Sequence, residues 1–174
     1  MENPSAKIMV AVFDRTVCVQ VNGRADFTST VDLKKLITEL WERGYSHFIF
    51  DLCECRMMDS TFMGVLAGIS QQMSDGNPEA HPLELLNANP RVAETLENLG
   101  VAHLFKIGGT AAPLTDKYEP LAKGDPASQV ELARTCLKAH LTLMELSPGN
   151  AQKFKDVAQF LAEDVKRLEI GQKK

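Results

Sequence analysis

The chain has 174 residues, 44% of them apolar, and a formal net charge of −4, which suffices for one good core plus an appendage and is short for two independent domains. Its lysines and arginines are scattered rather than clustered, so the electrostatic footprint of a nucleic-acid-binding protein is missing. The longest apolar runs are strand-sized and the opening Met1-Glu2-Asn3-Pro4 has neither a basic region nor an apolar signal segment, so a soluble, cytosolic protein without a membrane span is expected.

Two β-type runs come first, Ile8 to Phe13 and Thr16 to Val21, with Asp14-Arg15 as a natural two-residue hairpin connection and Asn22-Gly23 breaking the pattern. Leu33, Leu36, Ile37, Leu40 and Trp41 then share one face of a helix, opened by Ser29 with Asp32 three residues on and closed by Gly44. His47 to Leu52 is nearly continuously apolar, the mark of a strand covered on both sides. It leads to Asp59-Ser60-Thr61 and a helix with Phe62, Val65, Leu66, Ile69 and Met73 at helical spacing.

Residues 75–82 read as loop, Leu83 to Leu86 as a short strand, and Asn89-Pro90 as N-cap and first-turn proline of a helix that buries Val92, Leu96 and Leu99 and ends at Gly100. The order β-β-α-β-α-β-α predicts an α/β fold, a four-stranded mixed sheet flanked by helices. Residues 108–124 read as a connecting segment. Residues 125–170 then form an αα-hairpin: Val130, Ala133, Leu137, Leu141 and Met144 make one apolar face, Ser147-Pro148-Gly149-Asn150 the turn, and Phe154, Val157, Leu161, Val165 and Leu168 the other. Such stripes must be covered, either by the sheet domain or by another chain, so these helices are a candidate homodimer element.

Little in the sequence points to an enzyme or a cofactor. His47, His81, His103 and His140 lie far apart, without metal-site spacing, and neither a Gly-x-Ser-x-Gly nor a Gly-rich phosphate loop occurs. Cys18, Cys53, Cys55 and Cys136 are expected as buried free thiols rather than disulfides. Cys53-x-Cys55 lacks the two-residue spacing of a redox motif, and alternation at a strand end would put both thiols on one face. Gly64, Ala67 and Gly68 form a strip of small residues, read as close helix–sheet packing or as a ligand groove.

The strand-to-helix turn at Asp59-Ser60-Thr61 is the most informative place. A hydroxyl there sits at a helix N-terminus, where free N–H groups and the positive dipole end favour a phosphate; the same residues equally serve as a plain helix cap.

The run Phe48-Ile49-Phe50-Asp51-Leu52 … Met58-Asp59-Ser60-Thr61-Phe62-Met63-Gly64-Val65-Leu66 resembles the strand–turn–helix signature of the STAS family, which includes bacterial anti-sigma-factor antagonists. Gly23-Arg24-Ala25-Asp26 is similar to that family's Gly-x-x-Asp after its second strand, and Asn87 to Phe105 to its last helix. The likeness spans residues 6–107. It implies a STAS domain there, with Ser60 as phosphoacceptor and Thr61 as its alternative. The implied partner surface comprises Asp26, Asp59, Ser60, Thr61, Phe62 and Met63. The implied partners are a serine kinase that doubles as anti-sigma factor and binds the unphosphorylated form, and a PP2C-like phosphatase. Where the family commonly has Gly and then Leu, this chain has Phe62 and Met63; the bulk of Phe62 either clashes with a partner or anchors it. Other STAS relatives imply an alternative, a ligand-binding or scaffold subunit of a lipid-transport or sensory complex that works without phosphorylation.

Overall fold

The structure, a computed structural model, describes residues 5–75, 83–108 and 116–173. Strands β1 (Lys7–Phe13) and β2 (Thr16–Ala25) form the expected antiparallel hairpin. Asp14 at its tip adopts a positive φ of 47°, a conformation that Asp tolerates better than most residues and that suits a two-residue turn. Gly23, with φ 104°, does not end the strand as the Asn22-Gly23 pair suggested. β2 passes through an irregularity there and continues to Ala25. Its first half pairs in parallel with β3 (His47–Asp51) and its last residues with β4 (Cys55–Met58).

The sheet has seven strands rather than four. β5 (Leu83–Leu86) lies parallel to β3, β6 (Lys106–Ile107) parallel to β5, and β7 (Glu119–Pro120) antiparallel to β1, giving the order β6-β5-β3-β2-β1-β7 with β4 beside β2. The additions are two to four residues long, too short for an alternating pattern to mark them. β7 also places a strand inside the expected connecting segment. Residues 76–82 of the expected loop and 109–115 of that segment lie outside the described residues.

Helices α1 (Thr30–Glu42), α2 (Ser60–Ser74) and α3 (Pro90–Asn98) pack their apolar stripes on one sheet face. Leu33, Ile37, Phe62, Leu66, Val92 and Leu96 share a core with Val17, Val19, Phe48, Phe50, Leu83 and Leu85. The other face carries a small cluster, Ala11, Cys18, Ile49 and Leu86, with Tyr118 laid against it; burial and the Cys18 thiol push the Tyr118 hydroxyl up to about 12. The entry to α1 departs from expectation. Ser29 makes no side-chain cap bond; Asp26 instead caps a short 3-10 turn, Phe27–Ser29, by accepting from the Thr28 N–H.

The C-terminal helices α4 (Gln129–Leu146) and α5 (Pro148–Gln172) form the expected hairpin and dock on the sheet domain itself. Ala139 and Leu143 of α4 join the main core. The buried face of α4 is Val130, Ala133, Ala139, His140 and Leu143, rotated from the expected stripe, and Leu141 is left exposed. In α5, Asn150, Ala158 and Val165 are buried, while Val157 faces outward. Asn150 Nδ2 donates to the carbonyls of Leu99 (2.7 Å) and Leu143 (2.8 Å), tying the hairpin turn to the end of α3.

Candidate functional site at the start of the second helix

Asp59, rather than Ser60, is the N-cap of α2. One carboxylate oxygen accepts from the Phe62 N–H (2.8 Å) and the other from the Phe27 N–H (3.1 Å). A single side chain thus holds the helix start and the turn after β2. Asp26 lies alongside, accepting from the Thr28 hydroxyl (2.6 Å) and, at 3.3 Å, from the Ser5 hydroxyl. Burial pushes the Asp59 carboxyl above its ordinary value, more than its two N–H donors pull it down, and Asp26 adds to the rise. Asp26 and Asp59 therefore lie together at the start of α2, where Ser60 and Thr61 follow.

Ser60, half-buried, is the first residue of α2. Its Oγ lies 3.0 Å from Nε2 of His140 on α4. The other ring nitrogen, Nδ1, is 2.7 Å from the Cys136 carbonyl oxygen. A carbonyl only accepts, so Nδ1 carries the proton, and in the neutral ring Nε2 accepts from the Ser60 hydroxyl. His140 is buried and its ring meets Phe154 of α5 edge-on at 5.1 Å. Thr61 is only 6% exposed and lies beside the Cys136 thiol, whose pKa burial raises and Thr61 pulls back. The Ser60 hydroxyl is therefore engaged by α4, and Thr61 stands beside the same helix.

Phe62 and Met63 stand elsewhere. Each is fully buried in the core, which corrects the expectation that they face a partner. Their places in the first turn of α2 turn them toward the sheet, and bulk there fills the interior.

Gly64 explains how α4 comes so close. A Cβ at this position would lie 2.5 Å from the Ala139 carbonyl oxygen and 2.8 Å from its Cβ, closer than real side chains approach. Gly68, one turn on, faces Thr142. These glycines serve helix–helix packing, not the helix–sheet packing expected of the strip. Beside them a cleft of about 420 Å³ is lined by Lys34, Gly64, Gly68, Lys138 and Thr142 among others.

The cysteines also depart from expectation. All four are free, but only Cys18 and Cys55 are buried; Cys53 is exposed and Cys136 intermediate. Cys53 falls in the turn between β3 and β4, where its N–H donates to Asp51, so it does not share a strand face with Cys55. Among the described residues there is no cluster of three or more His, Cys, Asp or Glu side chains suited to a metal, and no helix long and apolar enough to cross a membrane.

His140 is the site residue that the sequence reading missed. It lies 80 residues from Ser60, inside an amphipathic stripe that apolar spacing defines and a polar residue interrupts.

Comparison with known proteins bears on the fold that carries this site. The STAS-domain family model matches residues 7–112, more than half of the chain and short of the C-terminal hairpin. No curated protein matches the sequence. Among solved structures, the chain is similar to a putative anti-sigma factor antagonist, TM1081, from Thermotoga maritima, at 20% identity and a TM-score of 0.50, over 58% of this chain and 85% of that one. It is also similar to the anti-sigma factor antagonist SpoIIAA in its unphosphorylated form, at 19% identity and a TM-score of 0.51, over 59% of this chain and 88% of that one. At such identities the likeness speaks for the fold, and with the family model it supports one conclusion: this chain belongs to the STAS-domain family.

Proposed function

We propose that the protein is a phosphorylation-switched interaction module of the anti-sigma-factor-antagonist type rather than an enzyme. In its unphosphorylated form it binds a serine kinase that serves as anti-sigma factor, and phosphorylation of Ser60 ends the binding. The observation that carries this reading is the Asp59-Ser60 pair: the carboxylate caps α2 and the next residue offers a hydroxyl at the helix start. Asp26 and Thr61 complete the edge, with Thr61 as the second hydroxyl; a PP2C-like phosphatase would reset the switch.

A phosphate brings about −1.5 to −2 charges. The helix dipole returns only about 0.3–1 kcal/mol of favourable interaction, so the fold responds little. Burying that charge unpaired against a partner costs about 2–5 kcal/mol, or about 30- to 5000-fold in affinity. The interface, not the fold, is where the charge acts.

The test is incubation with ATP and the GHKL-type serine kinase encoded nearest the gene, followed by peptide mapping. Phosphate on Ser60 is the expected result; label on Thr61 alone, or on neither hydroxyl, overturns the assignment. The ligand-binding alternative has one observation in its favour, the cleft in which Lys34 and Lys138 face Gly64 and Gly68. Burial and the neighbouring Lys138 lower the Lys34 pKa, a setting that suits an anionic small molecule.

A further inference from the structure

We propose that the protein carries an anion site built by β1, β2, β4 and α3, a groove in which Lys7, Arg24, Arg56 and Arg91 hold a small molecule bearing two or more phosphoryl groups. This site goes beyond the Ser60 switch and does not depend on it.

The lysines and arginines are scattered along the sequence, yet the fold gathers four of them. A groove of about 740 Å³ is lined by Lys7 of β1, Arg24 of β2, Arg56 of β4 and Arg91 of α3, with Glu54 as its one carboxylate. Four cations against one carboxylate leave a local charge of +3, in a chain whose net charge is −4. Ser5 and Asn22 add neutral hydrogen-bonding groups to the lining. The groove shares no residue with the cleft beside Gly64.

The backbone fixes the roots of these side chains. The register between β2 and β4 shifts at Gly23, whose φ is 104°: Gly23 faces Cys55 and Arg24 faces Met57, so Arg56 is the extra residue between them. Such bulges re-aim a side chain. Asn89 Nδ2 donates to the carbonyls of Cys55 (2.8 Å) and Arg56 (3.2 Å), while its Oδ1 caps α3 by accepting from the Val92 N–H (2.8 Å). One side chain thus ties the bulge at Arg56 to the first turn of α3, where Arg91 stands. On the other side, the Ala6 N–H donates to the Arg24 carbonyl at 2.8 Å, which brings Lys7 alongside.

All four cations are exposed, and among the described residues none has an ion pair or a side-chain hydrogen bond, although Lys35, Arg43, Arg134 and Arg167 each have a carboxylate partner. Like charges set on neighbouring strands and around one groove repel each other. A bound anion removes that cost. Guanidinium forks match phosphoryl oxygens bidentately, which a carboxylate-free cluster of three arginines leaves available. A single phosphoryl dianion leaves part of the +3 charge uncompensated, whereas two or more linked phosphoryl groups match it. The volume lies in the range of small-molecule sites, and the charges gather at one groove instead of forming the stripe that tracks a nucleic acid.

Isothermal titration calorimetry of the full chain with sodium tripolyphosphate, at about 0.15 M salt, tests the site. Saturable one-to-one binding is expected, weakened about tenfold or more when Arg24→Gln, Arg56→Gln and Arg91→Gln are combined. Arg43→Gln, whose guanidinium is paired with Glu39, should bind as the parent does. If the triple variant fails to fold, Arg56→Gln alone carries the test, with an expected loss of about threefold. Absence of saturable binding, equal binding by parent and groove variants, or tighter binding of an acidic decapeptide or a single-stranded oligonucleotide than of tripolyphosphate overturns the inference. Phosphorylation of Ser60 is not read in this experiment, so the switch and the anion site fail separately.

Discussion

The Ser60 hydroxyl donates to Nε2 of His140, 3.0 Å away and 80 residues further along the chain. This joins the first turn of α2 to the middle of α4, and Thr61 lies beside Cys136 of the same helix one residue on. A family domain that ends by residue 112 is thereby connected, at its most chemically distinctive turn, to a segment outside it.

The bond should be measurable as a coupling. His140→Phe keeps a ring against Phe154 but removes the acceptor, and the Ser60 hydroxyl then sits half-buried without this partner. A loss of about 1–2 kcal/mol in denaturant titration is expected. Ser60→Ala in the same background should recover part of it, giving an interaction energy of about 0.5–1.5 kcal/mol in a double-mutant cycle. Strict additivity would mean that the contact is absent in solution.

Asp59 should reverse the usual acid behaviour of a capping carboxylate. Its native pKa is raised by burial, so between the unfolded value and the raised native one the folded state binds more protons there than the unfolded chain. The stability this group contributes is present below the unfolded value and lost as pH rises through the native one. Stability of the parent relative to Asp59→Asn should therefore decline as pH rises through the acid range. A relative stability that climbs instead would show that hydrogen bonding to the carboxylate outweighs its burial.

Asn150 is a buried polar joint. It is 1% exposed and donates to two carbonyls, one from α3's end and one from α4. Asn150→Ala leaves both carbonyls without this donor and should cost about 2–3 kcal/mol, read as a lowered denaturant midpoint with an unchanged slope. A loss under about 0.5 kcal/mol would mean that the hairpin turn does not depend on this anchor.

Thiol reactivity should follow position. Cys53 is exposed in a turn, Cys18 and Cys55 are buried, and Cys136 is held against Thr61 with its pKa raised. One equivalent should react quickly with Ellman's reagent in native buffer, and peptide mapping should place it on Cys53. Rapid reaction of two or more thiols would contradict the packing described here.

What the sequence disclosed followed from strong local signals. Asp14-Arg15 between alternating runs marked the hairpin, Asn89-Pro90 marked the start of α3, and Asp59-Ser60-Thr61 marked the start of α2; each is a short-range arrangement whose physics is complete within a few residues. β4, β6 and β7 had no such signal: β6 and β7 are two residues long, and β4, Cys55–Met58, lacks the apolar run that marked the equally short β5. The rotation of α4 was illegible for a related reason. Apolar spacing favoured Leu137 and Leu141, whereas the docked helix turns Ala139 and His140 inward, because Gly64 offers a backbone groove and Ser60 a hydroxyl. Phe62 and Met63 were placed at a partner surface by analogy with the family's pattern, and their own hydrophobicity decided otherwise.

The central claim, that Ser60 carries the charge that governs partner binding, is tested most directly by calorimetry with the kinase-type partner on Ser60→Asp and Ser60→Ala, with denaturant titration alongside. The account predicts that Ser60→Asp weakens binding about 30-fold or more with a stability change under about 1 kcal/mol, and that Ser60→Ala still binds but cannot be switched off by ATP. Parent-like affinity in Ser60→Asp, or unfolding of that variant, would contradict it and leave Ser60 as a structural residue at the start of a helix.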